Sequence, residues 1–291
     1  MKVAVLGAGT MGSGIAQLAA MHGHQVQSYD VTPGALDRAA QSVAASFRRF
    51  VRAGRLDEGD VARATARISY GLDLPEAVAS ADVVIESVLE QLPLKRTVLH
   101  QAAQAAPDTC LLGSNTSQLS ITAIAAGVDR ETAPRVVGMH FFNPPVLMKL
   151  FELTRGQLTS DDTVKRTRAF AESLDREVVV LNKDIPGFIT TRVSAAVRLE
   201  CLRILEEGVA SAEDIDKACK LGLNFPMGPL ELGDFNGLDT FLSAAESLAA
   251  AHGDRYRPPA VLRNMVMAGL HGRKTGEGFY KYDADGRRLP R

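Results

Sequence analysis

The sequence predicts an α/β fold: a mostly parallel sheet domain followed by an all-α helical domain. Three observations carry this. Up to about residue 183, short β-branched runs alternate with longer helical stretches. Several of those runs are apolar without alternation, as strands covered by helices on both faces should be. After Asn182-Lys183-Asp184 comes the break Ile185-Pro186-Gly187, and beyond it no further strand run occurs. The expected domains are therefore 1–183 and 184–291.

Strands are expected at 3–6, 25–29, 83–86, 110–113, 135–139, 148–153 and 178–181, where Val, Ile and Leu cluster. Between them 12–22, 94–106 and 161–174 read as helices, and such alternation implies parallel strands joined by crossovers. Residues 34–55 form a helical insertion after the second strand, part of an arm spanning about 34–66. In the second domain 188–207, 212–221, 231–251 and 259–268 are rich in Ala and Leu and bounded by Gly or Pro. Their apolar stripes, such as Ile189, Val193, Ala196 and Val197, must be buried on the first domain, within a bundle, or on a second copy of the chain.

Composition narrows the function. Of 291 residues, 46% are apolar and 23% charged, the balance of a folded globular chain. The net charge of −1 supplies no global basic field for nucleic acid or anionic membrane, so an anionic ligand must meet a local cluster. The cysteines Cys110, Cys201 and Cys219 are too scattered for a disulfide framework or a metal site. That usage fits a reducing compartment, and no leader or membrane-spanning run is evident, so a cytoplasmic location and no metal are expected.

Gly7-Ala8-Gly9-Thr10-Met11-Gly12 follows the first strand and opens a helix. In that context a GxGxxG supplies a tight turn, close backbone approach to a pyrophosphate and a helix N-terminus aimed at it, the mark of a Rossmann-like domain. Asp30 stands eighteen residues beyond Gly12, at the end of the second strand. Its carboxylate can accept from an adenosine ribose and would repel a 2′-phosphate, so NAD is expected over NADP, with FAD as the rival dinucleotide.

Two further segments fall at expected strand ends: Ser114-Asn115-Thr116-Ser117 and Met139-His140-Phe141-Phe142-Asn143-Pro144-Pro145. Glu152 lies twelve residues past His140, in the next strand. Oxidising an alcohol with NAD requires a base for the hydroxyl proton, and histidine suits that task. A carboxylate on its other ring nitrogen would fix the tautomer. Ser117 and Asn115 can orient a substrate oxygen and a nicotinamide. By spacing alone, His140 reads equally as a structural histidine and Glu152 as a surface carboxylate.

These residues carry a resemblance. The glycine turn with Asp30, Ser-Asn-Thr-Ser, Gly-Met-His-Phe-Phe-Asn-Pro, Pro186-Gly187-Phe188, Phe225-Pro226-Met227-Gly228-Pro229-Leu230-Glu231-Leu232 and Gly272-Arg273-Lys274-Thr275-Gly276-Glu277-Gly278-Phe279-Tyr280 resemble the 3-hydroxyacyl-CoA dehydrogenase family. Its short, single-function 3-hydroxybutyryl-CoA dehydrogenase type is the most similar, and the motifs span residues 3 to 282. The resemblance implies that His140 is the general base, Glu152 its partner, and Ser117 a neighbour of both substrate hydroxyl and nicotinamide. It implies Glu90, Lys95 and Lys274 as NAD contacts beside Gly7, Gly9, Met11, Gly12, Asp30 and Asn115. Read without it, Glu90, Lys95 and Lys274 are surface charges. Asn143 is expected near the substrate.

One position departs from the family pattern: Thr191 stands where an Asn usually precedes Arg192. A hydroxyl is shorter than an amide and offers one donor instead of two, so altered rate or preference is expected. In the arm, Arg48, Arg52 and Arg55 recur at helical spacing beside Arg49 and Ser46. Arginine forks suit the phosphates of a nucleotide handle, and the resemblance implies coenzyme A contacts for Ser46 and one of these arginines, with Arg48, Arg49 and Arg52 singled out as the expected phosphate-binding cluster. It also implies a homodimer through the helical domain. The expected reaction is NAD-dependent oxidation of an (S)-3-hydroxyacyl-CoA. The alternatives are the same chemistry on a carrier-protein-bound or free hydroxy acid, or an idle NAD-binding protein.

Overall fold

The computed structural model describes Met1 to Pro290. The chain divides into two compact units, one of Met1–Ile185 and one from Pro186 onward.

The first unit holds one eight-stranded sheet in the order β3-β2-β1-β4-β5-β6-β7-β8. Its strands are β1 (Lys2–Leu6), β2 (Gln25–Tyr29), β3 (Ile68–Gly71), β4 (Val83–Glu86), β5 (Leu111–Ser114), β6 (Val136–Phe141), β7 (Leu150–Arg155) and β8 (Glu177–Leu181). All neighbours pair in parallel except β6 with β7. The carboxyl ends of β1, β2, β4, β5 and β6 therefore share one edge. Chain order reverses between β1 and β4, where folds of this kind leave a ligand crevice.

Every residue of β4, β5 and β6 is buried, which explains their unbroken apolar pattern. The expected strands all form, within a few residues at each end. β3 is the strand that pattern reading missed. It lies at the sheet's edge with Ser69 and Tyr70 exposed, so Ile-Ser-Tyr-Gly carries no apolar run.

Helices α1 (Thr10–Met21), α2 (Pro33–Arg52), α3 (Glu58–Thr65), α4 (Leu74–Val78), α5 (Leu92–Ala105), α6 (Ile121–Ala125) and α7 (Asp161–Ser173) connect these strands. The arm is α2 and α3. Pro33 pre-sets the first turn of α2, and Asp57 with Asp60 forms a capping box on α3. Val5, Ile15, Phe47, Met139, Phe151 and Phe170 belong to the core. Phe141 and Phe151, opposite one another on β6 and β7, meet edge to face at 4.8 Å.

The second unit consists of α8 (Thr190–Glu206), α9 (Ala212–Gly222), α10 (Pro229–Asn236), α11 (Leu238–His252) and α12 (Ala260–Met267). Among its described residues there is no strand, only isolated bridges near the C-terminal end. The single helix expected over 231–251 is two, broken at Gly237, whose φ of +96° is left-handed. Leu199, Leu202, Leu230, Phe241, Leu248 and Leu262 form this unit's own core.

Candidate active site

The glycine turn between β1 and α1 is shaped by contacts a side chain would break. Gly7 has φ +102°, and a Cβ there would lie 2.7 Å from the Ser87 carbonyl oxygen beyond β4. A Cβ on Gly12 would lie 1.8 Å from the Gly7 carbonyl oxygen. At Gly9 a Cβ would meet no atom within 4 Å, so the backbone there is open to close approach. The first turn of α1 has no side-chain cap and no acidic residue. Its N–H groups and helix dipole thus present a positive end at the crevice. The Met11 side chain packs on the sheet core, leaving its backbone to the turn.

Asp30 follows β2 and is half-buried. Its Oδ2 accepts from Ala8 N at 2.9 Å, and Oδ1 accepts from Thr32 N and Oγ1. The carboxylate therefore fixes the glycine turn as well as standing at the edge where a ribose would lie. Together these features fit a dinucleotide with an unphosphorylated 2′-hydroxyl.

The catalytic candidates are set by strand register. Ser114 ends β5 and pairs with Gly138, two residues before His140 on β6. Across the antiparallel step, His140 lies directly opposite Glu152. Opposed residues in such a pair point to the same face with their Cβ atoms about 5 Å apart. His140 Nδ1 lies 2.8 Å from Glu152 Oε2, with the two side chains 8% and 1% exposed. The Phe142 ring packs on the imidazole at 4.4 Å between centroids. Asn115 ties strand ends together: its Oδ1 accepts from Phe141 N at 2.9 Å, and its Nδ2 donates to Ser87 Oγ at 3.2 Å.

Behind this edge lies an ionic network centred on the buried pair Lys95–Glu86. Lys95 is 1% exposed; Nζ sits 2.7 Å from Glu86 Oε1, 3.2 Å from Glu90 Oε2 and 3.3 Å from the Val88 carbonyl oxygen. Glu86 also accepts from Ser114 Oγ and Val88 N. Glu90 accepts from Thr116 Oγ1 and from Ser117 N. The chain Lys95–Glu90–Thr116 thus positions Ser117.

Matches to known families decide what this arrangement belongs to. The NAD binding domain of 3-hydroxyacyl-CoA dehydrogenase matches residues 2–185, and the C-terminal domain of the same enzyme matches 187–282. The chain belongs to the 3-hydroxyacyl-CoA dehydrogenase family. Within it, a probable 3-hydroxybutyryl-CoA dehydrogenase of Bacillus subtilis is 44% identical over 97% of each chain. The mitochondrial hydroxyacyl-coenzyme A dehydrogenase of Homo sapiens is 38% identical, covering 96% of this chain and 90% of that one. The crystal structure of (S)-3-hydroxybutyryl-CoA dehydrogenase from Ralstonia eutropha superposes with a TM-score of 0.92 at 41% identity, covering 97% of this chain and 99% of that one.

Among the remaining expected 3-hydroxyacyl-CoA dehydrogenase site residues, the structure separates two kinds. Arg48, Arg49 and Arg52 are exposed on α2, as a phosphate-binding face requires, and Asn143 is exposed in the turn after β6. Ser46 is not on that face. It is 8% exposed on the inner side of α2 with Val43 and Phe47, because the helix turns it toward the sheet. Lys95 likewise differs from a ligand contact, since its three N–H donors are all used inside the protein. Lys274 is half-exposed and pairs with Asp239 within the helical unit. Thr191 lies in the first turn of α8.

Sequence reasoning passed over four buried charges. Glu86 read as the last residue of an apolar strand. Arg176, 6% exposed, donates to the carbonyls of Leu174, Pro145 and Met148 and so fastens the turn after β6. In the helical unit Asp216 accepts from Leu230 N, Glu231 N and Tyr280 Oη, capping α10. Asp234 accepts from Phe279 N, Tyr280 N and Tyr282 Oη. Gly228 and Gly278 make room for them, since a Cβ at either would lie 2.1 Å from a carboxylate atom. The family motifs around 225–232 and 272–280 are thus held together by these two aspartates. No group of metal-ligating residues is present among the described residues, nor any helix long and apolar enough to cross a membrane.

Proposed function

We propose that this protein catalyses the reversible, NAD-dependent oxidation of (S)-3-hydroxyacyl-CoA to 3-oxoacyl-CoA. The observation that carries the reading is the His140–Glu152 pair at 2.8 Å, on the carboxyl edge of the sheet, in a chain of the 3-hydroxyacyl-CoA dehydrogenase family. The enzyme is an oxidoreductase with NAD as its cofactor. The glycine turn with Gly7, Gly9, Met11 and Gly12 receives the pyrophosphate, and Asp30 accepts from the adenosine ribose. When bound, the nicotinamide supplies the hydride acceptor.

In this reading Glu152 accepts from His140 Nδ1–H, which fixes the tautomer and leaves Nε2 to take the proton of the 3-hydroxyl. The negative carboxylate then stabilises the imidazolium that forms as hydride leaves C3. Burial of the pair strengthens that attraction and excludes competing water. Ser117 orients the substrate hydroxyl and the nicotinamide, its place set by Glu90 through the network with Lys95. Thr191 donates one hydrogen bond to the substrate oxygen where relatives carry an amide. Arg48, Arg49 and Arg52 hold the phosphates of coenzyme A, with Asn143 near the thioester end; Asn115 and Lys274 complete the cofactor side. The chain works in the cytoplasm as a homodimer joined through its helical unit.

Steady-state NADH formation with 3-hydroxyacyl-CoAs of several chain lengths, repeated with NADP, tests the reading. Turnover with NAD and little with NADP is expected. Tight NAD binding without NADH formation on any hydroxyacyl-CoA would leave an idle dinucleotide-binding protein.

A further inference from the structure

Strand β6 is longer than its parallel neighbour β5. The last rung between them joins Ser114 to Gly138, so Met139, His140 and Phe141 project beyond β5. On the other side β7 accompanies them to the end, with His140 opposite Glu152 and Phe141 opposite Phe151. His140 therefore stands on an overhang, backed by a strand on one side only. Where a strand outruns its neighbour, its backbone polar groups on that side must be met by something other than a strand.

Here a side chain meets them. Asn115 directly follows β5, and its own backbone N–H is committed to β4, donating to the Glu86 carbonyl at 2.8 Å. Its side-chain Oδ1 accepts from Phe141 N at 2.9 Å. A backbone N–H can only donate, so the carboxamide turns its oxygen toward β6 and its nitrogen toward Ser87 Oγ, 3.2 Å away. Ser87 is itself fixed, since its N–H donates to the Leu6 carbonyl at the end of β1. The amide thus reaches from the strand ends beside the glycine turn to the strand that carries His140.

We propose that Asn115 is a positioning residue for His140, its carboxamide standing in for the rung that β5 is too short to supply. The proposal rests on the reading of His140 as the general base, and it adds to the place of Asn115 on the cofactor side a task toward that base. The Phe141 N–H belongs to the peptide unit that follows the His140 Cα. Holding it in one direction therefore fixes ψ of His140. Backbone dihedrals select which side-chain rotamers are allowed, so the same bond biases where the imidazole points. The Phe141 ring, edge to face on Phe151, steadies the peptide from the core side. Glu152 fixes one end of the imidazole at Nδ1, and a fixed ψ fixes the other at its root. Nε2 is then aimed by the protein before any substrate arrives.

The test separates positioning from cofactor contact. Steady-state kinetics of Asn115→Ala and Asn115→Asp are measured on the full protein with NAD and a 3-hydroxyacyl-CoA, beside the proton NMR resonance of His140 Nδ1–H in protein without either ligand. Alanine removes the acceptor for Phe141 N. Its kcat is expected to fall about 10- to 100-fold, the effect of a small misplacement of a reacting group, with both KM values little changed. The Nδ1–H resonance should shift or broaden. Aspartate has the same shape and keeps an oxygen for Phe141 N, so it should recover most of kcat and restore the resonance. If alanine leaves too little folded protein, Asn115→Ser replaces it, since the shorter hydroxyl stops short of Phe141 N and should show the same losses. A raised KM for NAD with wild-type kcat would make Asn115 a cofactor contact and overturn the proposal. So would an unmoved resonance in the alanine variant, or an aspartate variant no better than alanine. If the wild-type protein forms no NADH from any hydroxyacyl-CoA, the proposed reaction falls, and the resonance alone decides whether Asn115 holds the histidine.

Discussion

Both units bury carboxylates, and they spend them differently. In the sheet unit, the buried Glu86 and Glu152 face side chains that themselves carry exchangeable charge: Lys95 and His140. In the helical unit, Asp216 and Asp234 face backbone N–H groups and tyrosine hydroxyls. Burial pushes the Asp234 carboxyl above the usual carboxylate range, against the pull of its two backbone donors, and pushes the Tyr280 hydroxyl up as well. The difference shows that burial alone does not mark a reactive carboxylate. What the carboxylate touches does: a titratable partner permits proton transfer, whereas a fixed amide permits only anchoring.

The contrast can be broken most sharply at its reactive end. His140→Gln should lower kcat by about 10²–10⁴-fold, the usual contribution of a positioned base, with an unchanged melting curve. Glu152→Gln should fall in the same direction by less. A His140→Gln enzyme with wild-type kcat would remove the distinction altogether.

At the anchoring end, Asp234→Ala strips acceptors from two backbone N–H groups and a hydroxyl. A loss of about 3–5 kcal/mol in unfolding free energy is expected, with kcat per folded molecule preserved. Chemical denaturation with active-site titration measures both. Unaltered stability would show that the C-terminal motif is not held by this carboxylate.

Lys95→Met sits between the two. It leaves Glu86 buried without its cation, so about 3 kcal/mol of stability should go. The KM for NAD should rise too, because Glu90 sets the position of Ser117. A rise in KM with full stability would move Lys95 from anchoring to direct cofactor contact.

The smallest effect is expected at an exposed control. Asp129 Oδ1 accepts from the Thr132 and Glu131 amides, and these bonds hold its carboxyl below the usual 3.8. A folded pKa below the unfolded one contributes stability above 3.8, and that contribution is lost as pH falls through the lower folded value. Asp129→Asn should therefore flatten the acid limb of the melting temperature slightly. A steeper acid limb in the variant would reverse the sign.

Much of the fold was legible because the central strands are covered on both faces, which writes Val-Val-Ile and Val-Val-Gly-Met into the chain without interruption. The edge strand Ile68–Gly71 left no such trace, since half its residues face water. The stop inside 231–251 depended on Gly237 adopting a positive φ, where a Cβ would crowd Asp239 and Lys274, and periodicity alone did not show it. For the site, the residue types at strand ends were readable, and register then put His140 across from Glu152. Charge was the poor guide. Lys95 looks like a surface residue in sequence, and Ser46 looks like a neighbour of arginines, yet both are buried, because what a side chain faces is decided by segments far away along the chain. Glu86, Arg176, Asp216 and Asp234 escaped notice for the same reason.

The placement of the imidazole and its carboxylate by a ladder rung has a consequence for how the protein can change. Their separation is a property of paired backbones, so the connecting turn from Phe142 to Lys149 does not set it. Residues added to or exchanged within that turn leave the rung intact, whereas a one-residue shift inside either strand would swing one partner to the opposite surface of the sheet. Mutational drift and laboratory redesign thus meet two different constraints side by side: in the turn, the contacts of Phe142 and the staple from Arg176, and in the strands, the register itself.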